Sequence, residues 1–301
     1  LEQLRWAASV VASRAFDSSA CSVLLAPFAD ALNHSGVPHT RMRDCGDYLV
    51  FHAEREIAPQ EEIMNCYGLQ GNTQWLMNGG FLDQSRPCDD LLVTPADVVS
   101  AVLDYQDSKE GEEEGEECLQ EALDGEDQKD QDTSLCSRLS LLQDYGIGSN
   151  PFSLSMADLL PDDLATMILV ICMNESDYLS YQQQRAAGGS ASIDLAGAEG
   201  EDLGEPLLAD LYGSLLRLVS LLRQRYETSL EEDQQMLQEL HEVIKEPNAK
   251  RRKDTHESQE QRQVKIPDGI RPENAQNILL LRIGQKRVLR ALEDEAADCF
   301  A

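Results

Sequence analysis

The sequence predicts an α+β protein, with a small mixed region at the start and a mostly helical region after it. Two observations carry this. Strand-like segments fall early, at Tyr48 to His52 and Glu62 to Cys66, with Pro59 in the turn between them. Beyond Pro87 the pattern is helical, with apolar residues at three- and four-residue spacing behind capping sequences. The expected domains are residues 1–83 and 84–301.

The elements follow in order. Leu4, Ala8 and Val11 share one helical face, widened by Trp6 and Val10, so Leu1 to Ala15 reads as a helix. Val23 to Ala26 is a short apolar run ending at Pro27. Asn72 to Asn78 reads as a short helix closed by Gly79 and Gly80. Thr94-Pro95-Ala96-Asp97 places a capping Thr, a Pro at the first helical position and an acid in the first turn. Further helices are expected at Ser134 to Tyr145, Asp162 to Asn174 and Leu207 to Tyr226. Ser229 to Glu232 is a capping box opening another helix to about Lys245. The last runs from Pro272 to about Glu295, with Ile278, Leu281, Gln285, Leu289 and Leu292 along a mainly apolar face. Three stretches lack apolar periodicity and are expected to be mobile loops: Ser108 to Asp132, Gln183 to Pro206, and Glu246 to Pro267 with its basic cluster Lys250 to Lys253.

Composition narrows the function. The 301 residues carry a formal net charge of -30, which argues against a broad nucleic-acid footprint, since phosphate contacts need Lys and Arg. Between Asp107 and Asp132 thirteen carboxylates oppose two lysines, so about a third of the charge lies in one segment. No run reaches the ~18 apolar residues of a membrane span. The eight cysteines include no C-x-x-C pair, so neither a zinc site nor a disulfide framework is expected. Reduced thiols in an intracellular, monomeric protein are the reading that remains. The sequence starts at Leu1 without a Met, and a fragment or a processed product is expected.

The residues that carry chemistry lie between Trp6 and Asp83. Ser13-Arg14-Ala15-Phe16 comes first, then Ala29-Asp30-Ala31-Leu32-Asn33-His34-Ser35. Glu61-Glu62-Ile63 precedes Asn65-Cys66-Tyr67-Gly68, and Asn72-Thr73-Gln74-Trp75-Leu76 precedes Gly80-Phe81. Each piece alone is weak, and the order and spacing together are strong. Taken alone, Trp6, Trp75 and Phe81 read as core residues.

In that order the stretch resembles the C-terminal lobe of the SET domain in Rubisco large-subunit lysine methyltransferases. Tyr226 to Asp233 and Leu280 to Leu289 are similar to two helices of that family's substrate-binding domain. The resemblance implies a SET β-fold lobe at residues 1–83 and a helical substrate-binding domain after it. It implies S-adenosylmethionine as methyl donor and a protein lysine as acceptor. Asn33 and His34 would hold the adenine end through backbone and amide hydrogen bonds, with Asp30 opening the same segment. Arg14 would pair with the donor's carboxylate, a group its guanidinium fork suits. Tyr67 would be the catalytic tyrosine, orienting the target nitrogen. Ser13 would present its carbonyl to the target amine, and Phe16 and Phe81 would line the substrate channel. No metal is implied.

Departures from the family pattern accompany the match. The family's N-terminal lobe, with its Gly-rich loop, is expected to be missing ahead of Leu1. Gly79 stands where relatives carry Tyr or Ser, and Gly71 to Gln74 replaces Ser-Asn-Ala-Glu. A protein-lysine methyltransferase and a non-catalytic interaction module built on the same fold both fit. Chloroplast, cytoplasm and nucleus stay open as compartments.

Overall fold

The computed structural model describes residues 1–18, 22–113, 127–190, 192, 193, 195, 203–245 and 270–300. The chain is α+β, and it divides into two units. Leu1–Asp89 with Lys265–Leu281 form the first, and Asp90–Val264 with Arg282–Ala301 form the second.

In the first unit, helix α1 (Glu2–Arg14) buries none of its residues. Its apolar residues point outward instead: Leu4, Trp6 and Val11 are all exposed, so the expected core role of Trp6 does not hold. Strands β1 (Ala15–Ser18) and β2 (Ser22–Leu25) pair antiparallel, with Phe16 opposite Leu24. A 3-10 turn at Ala29–Ala31 leads into β3 (Asn33–His34). β4 (Thr40–Asp44) and β5 (Leu49–Ala53) form an antiparallel hairpin. β6 (Met64–Asn65) then lies parallel to β3, with His34 opposite Asn65. Three further bonds fasten this short pairing, from Ser35 N–H to the Asn65 carbonyl and from His39 N–H and Thr40 Oγ1 to the Met64 carbonyl. Helix α2 (Asn72–Gly79) ends at Gly80, whose φ of 74° is the left-handed conformation a glycine C-cap supplies.

The second unit opens with β7 (Asp90–Val93) and helix α3 (Pro95–Glu113). Thr94 and Asp97 cap α3 reciprocally: Thr94 N–H donates to Asp97 Oδ2 at 2.9 Å and Asp97 N–H to Thr94 Oγ1 at 3.3 Å. Helix α4 (Asp127–Asp144) and β8 (Phe152–Ser155), the antiparallel partner of β7, follow. Then come α5 (Asp162–Cys172), α6 (Glu175–Ala186), α7 (Glu205–Arg223) and α8 (Leu230–Lys245), and the residues of α9 (Pro272–Phe300) from Arg282 onward.

Helix α5 is the centre of the core. Leu164 to Ile171 are all buried, which fits a helix apolar on every side. Burying each large aliphatic side chain contributes about 1.5–3 kcal/mol. The buried carbonyls at its C-terminal end are met by the buried Arg138. That guanidinium donates to the carbonyls of Val170, Ile171 and Met173 at 2.8, 3.1 and 2.5 Å and lies over the Tyr178 ring. Gly213 lets α7 approach α3 closely, since a Cβ there would meet the Tyr105 ring at 2.3 Å.

A buried ionic cluster ties α9 to the start of α8. Asp233 takes Lys286 Nζ at 2.5 Å on one oxygen and Arg282 Nη2 at 2.9 Å on the other. Lys286 also donates to the carbonyls of Thr228 and Ser229, at 2.6 and 3.0 Å. The expected capping box is present, with Ser229 N–H on Glu232 and Glu232 N–H on Ser229 Oγ at 2.8 and 3.0 Å.

Two of the expected loops are partly helical. Residues 108–113 complete α3 and residues 127–132 begin α4. Lys, Glu and Gln have high helix propensity, so a polar run continues a helix already nucleated by its apolar part. Lys109 also bonds Asp210 of α7 at 2.7 Å. Residues 183–186 likewise finish α6, and Glu205 and Pro206 open α7, with Pro at the first turn. The remainder of Ser108 to Asp132, residues 191, 194 and 196–202 of the second stretch and all of Glu246 to Pro267 lie outside the described residues.

Candidate active site

The β3–β6 pairing brings two distant motifs together. Parallel pairing sets Asn33-His34 beside Met64-Asn65, so Tyr67 emerges next to His34. Tyr67 N–H donates to His34 Nδ1 at 3.1 Å, across 33 residues of sequence. Its hydroxyl donates to the Leu32 carbonyl. Tyr67 is therefore held at both ends, by its amide and by its phenol. The residue as a whole is 39% exposed. Burial pushes the phenol above its usual range, Arg14 opposes this and Asp30 adds to it. At neutral pH Tyr67 is a neutral phenol, able to donate and to accept.

His34 is a structural centre. Its side chain is only 2% exposed, and its Nε2 lies 3.2 Å from Asp83 Oδ2. Around it pack Trp75 at 4.4 Å, Tyr67 at 5.3 Å and Phe81 at 5.7 Å between ring centroids. Trp75 and Phe81 are themselves stacked at 5.3 Å. Both ring nitrogens of His34 are thus committed inside the protein, and any contact with a ligand is left to its backbone.

Arg14 and Asp30 meet a short way off. The last residue of α1 places Arg14 Nη1 3.1 Å from the Asp30 carbonyl and 3.4 Å from its carboxylate. Arg14 is half-exposed, so its remaining donors face solvent. Asn33 is exposed, and its amide donates to Glu62 at 2.6 Å. Ser13 turns its hydroxyl back to the Ser9 carbonyl at 2.7 Å. Phe16 makes an edge contact with Phe51 at 6.3 Å. The structure therefore gathers Tyr67, His34 and Phe81 in one cluster and pairs Arg14 with Asp30. It places Phe16 against Phe51, and Phe51, not Phe16, lines an apolar cleft of about 630 Å³ together with Leu24, Phe28, Leu32, Ile57 and Ile63 among others. Phe28, at φ 72° and 91% exposed, stands at the cleft in a backbone conformation that bulky residues rarely adopt.

Three residues, and the role of a fourth already quoted in the motif, escape the sequence reading. Asp83, Ser85 and Arg86 form the support beneath His34, and Glu62 holds Asn33. Nothing local marks them: Asp83 is 49 residues from His34. Among the described residues no group of three or more His, Cys, Asp or Glu is placed to hold a metal ion, and no helix is long and apolar enough to cross a membrane.

Comparison with known proteins gives one family and one fold. Residues 129–289 match the family described as Rubisco LSMT substrate-binding. Among solved structures, Rubisco LSMT bound to AdoMet is similar at a TM-score of 0.55 and 16% identity, covering 99% of this chain and 55% of that one. The SET domain of LSMT bound to lysine and AdoHcy gives a TM-score of 0.55 at 15% identity, with the same coverage. Rubisco LSMT bound to sinefungin and monomethyllysine gives 0.55 at 15%, covering 99% and 54%. The chain thus has the fold of these proteins and spans about half their length. A search of curated proteins returns no match.

Proposed function

We propose, for a chain that belongs to the Rubisco LSMT substrate-binding family, that it carries the tyrosine side of the active site of a protein-lysine N-methyltransferase. The observation that carries this reading is the convergence on Tyr67: one phenol held by the Leu32 carbonyl and the His34 ring, within the electrostatic reach of Arg14 and Asp30. The helical unit then receives the protein that presents the lysine.

The donor set fits S-adenosylmethionine. The half-exposed Arg14 guanidinium can pair with a carboxylate, and the exposed Asn33 amide and the backbone of residues 33–34 can meet an adenine edge. Bound there, S-adenosylmethionine supplies an electrophilic methyl group. The chain's own contribution is positioning, which displacement reactions need most. Tyr67, neutral and fixed at both ends, orients the lone pair of the incoming amine rather than attacking anything itself. Phe16 and Phe51 offer an apolar wall for a long methylene stem, which favours lysine. An imidazole would leave its second nitrogen unpaired there, at a cost of about 1–3 kcal/mol.

The test is Tyr67→Phe in the gene product that carries these residues. Turnover should fall by about 2–4 powers of ten, the scale of a positioned acid-base or orienting group, with donor affinity little changed. Wild-type turnover in the variant removes Tyr67 from the mechanism. A wild-type protein that binds a protein partner and transfers no methyl group would make the chain an interaction module.

A further inference from the structure

We propose that Asp83 is a positioning residue for Tyr67, acting by fixing the tautomer of His34. The inference rests on the reading of Tyr67 given above.

The argument begins at the Tyr67 amide. A backbone N–H can only donate, so the His34 Nδ1 that faces it at 3.1 Å must present a lone pair. The neutral ring then carries its proton on Nε2, which points at Asp83 Oδ2, 3.2 Å away. A carboxylate can only accept, so Asp83 and Tyr67 demand the same tautomer from opposite sides of one ring. The alternative tautomer would set a proton against the Tyr67 N–H and a lone pair against the carboxylate. Either mismatch lies in a place with no water to relieve it, since both side chains are 2% exposed.

The surroundings hold Asp83 in the role. Its Oδ1 accepts from Ser85 N–H at 2.9 Å and from Ser85 Oγ at 2.5 Å. That leaves Oδ2 for His34, with Arg86 Nε also 3.2 Å from it. The Asp83 N–H donates to Asn72 Oδ1 at 2.9 Å, which ties its backbone to the start of α2. Burial works to raise the Asp83 carboxyl, and the hydrogen bonds from Ser85 and His34 outweigh it, so the group stays ionised below its usual range. Gly36 is part of the fit: a Cβ there would come within 2.6 Å of Asp83 Oδ2 and 2.4 Å of Arg86 Cδ.

The same geometry makes Asp83→Asn an inverting substitution. The two Ser85 donors require an acceptor at the Oδ1 position, so the amide oxygen takes that place. Its NH2 then faces His34 Nε2, which must become an acceptor, moving the ring proton to Nδ1 and against the Tyr67 N–H. The experiment is nitrogen-15 NMR of histidine-labelled protein, the 301-residue chain, with amide exchange at Tyr67. In the wild type His34 should show a protonated Nε2 and a bare Nδ1 at neutral pH. In Asp83→Asn the two signals should exchange character, and protection of the Tyr67 amide should drop by about fivefold to tenfold, the scale of one net hydrogen bond. Ser85→Ala keeps the carboxylate and should keep the tautomer. In the gene product that carries these residues, Asp83→Asn should lower kcat about tenfold or more and leave the KM for the methyl donor near wild type. A wild-type His34 protonated on Nδ1 overturns the proposal without any variant. So does an Asp83→Asn protein that keeps the Nε2 proton, or one that exchanges tautomer at unchanged kcat. Failure of Tyr67→Phe to affect turnover would sink the reading of Tyr67 instead, and the NMR result would stand apart from it.

Discussion

Replacing Asp233 by Ala should destabilise the helical unit severely, and the structure says by how much. Asp233 is completely buried and holds two cations. Arg282 is 29% exposed, so on losing the carboxylate it recovers water, and its share of the loss is small. Lys286 is 8% exposed and cannot do the same. Its ammonium would remain buried with the Thr228 hydroxyl, the carbonyls of Thr228 and Ser229 and the Tyr226 ring, none of which carries a compensating charge. Removing one partner of a buried pair costs about 3–5 kcal/mol, and the solvent-assisted Arg282 puts the expectation near the lower end. For a domain of this size about 3 kcal/mol corresponds to a fall in Tm of about 6–12 °C. Both tryptophans, Trp6 and Trp75, lie in the first unit, so fluorescence would miss the event. Far-ultraviolet circular dichroism and amide exchange in the first turn of α8 would report it. Asp233→Leu combined with Lys286→Met should recover most of the loss, because an apolar replacement of a buried pair is often neutral or better. A single variant costing under about 1 kcal/mol, or a double variant as unstable as the single, would refute the reasoning.

Arg138→Lys should cost about 1–3 kcal/mol, because an ammonium on a shorter stem loses the Nε bond to Ser134 and the guanidinium stack over Tyr178 and must re-aim to reach the three carbonyls met by Nη1; a denaturation midpoint unchanged from wild type would deny Arg138 its capping role. Glu61 supplies a pH test. The Arg55 guanidinium, and after it the Ala58 N–H, hold its carboxyl at about 2, down from 4.5. A depressed folded value means stability present above about 4.5 and lost as pH falls toward 2. Arg55→Ala should move the Glu61 titration, followed by carboxyl NMR, back toward 4.5, and an unmoved titration would remove Arg55 as the cause.

Helix starts were the most legible part of the fold, because capping chemistry is local. Thr94 with Asp97 and Ser229 with Glu232 form their bonds within three residues. Strand β4 was missed for a matching reason: Thr40, Arg41, Met42, Arg43 and Asp44 belong to a two-stranded hairpin with little buried surface, so no apolar alternation marks it. The two ends of the acidic segment, 108–113 and 127–132, misled because charge was read as loop, whereas glutamate and lysine extend helices readily. At the candidate site, Tyr67, Arg14, Asp30, Asn33 and His34 were found through a family's motif order. The environment of His34 was not, because the carboxylate that meets it comes from Asp83, far along the chain, and no local pattern encodes that meeting.

The central claim is tested most directly by giving the gene product that carries these residues S-adenosylmethionine with an isotope-labelled methyl group and a mixture of candidate protein substrates. Mass spectrometry of the products should place the label on a lysine side-chain nitrogen, with the signal nearly gone in Tyr67→Phe. Label on histidine, or a fully bound methyl donor with no label transferred to any protein, would contradict the account.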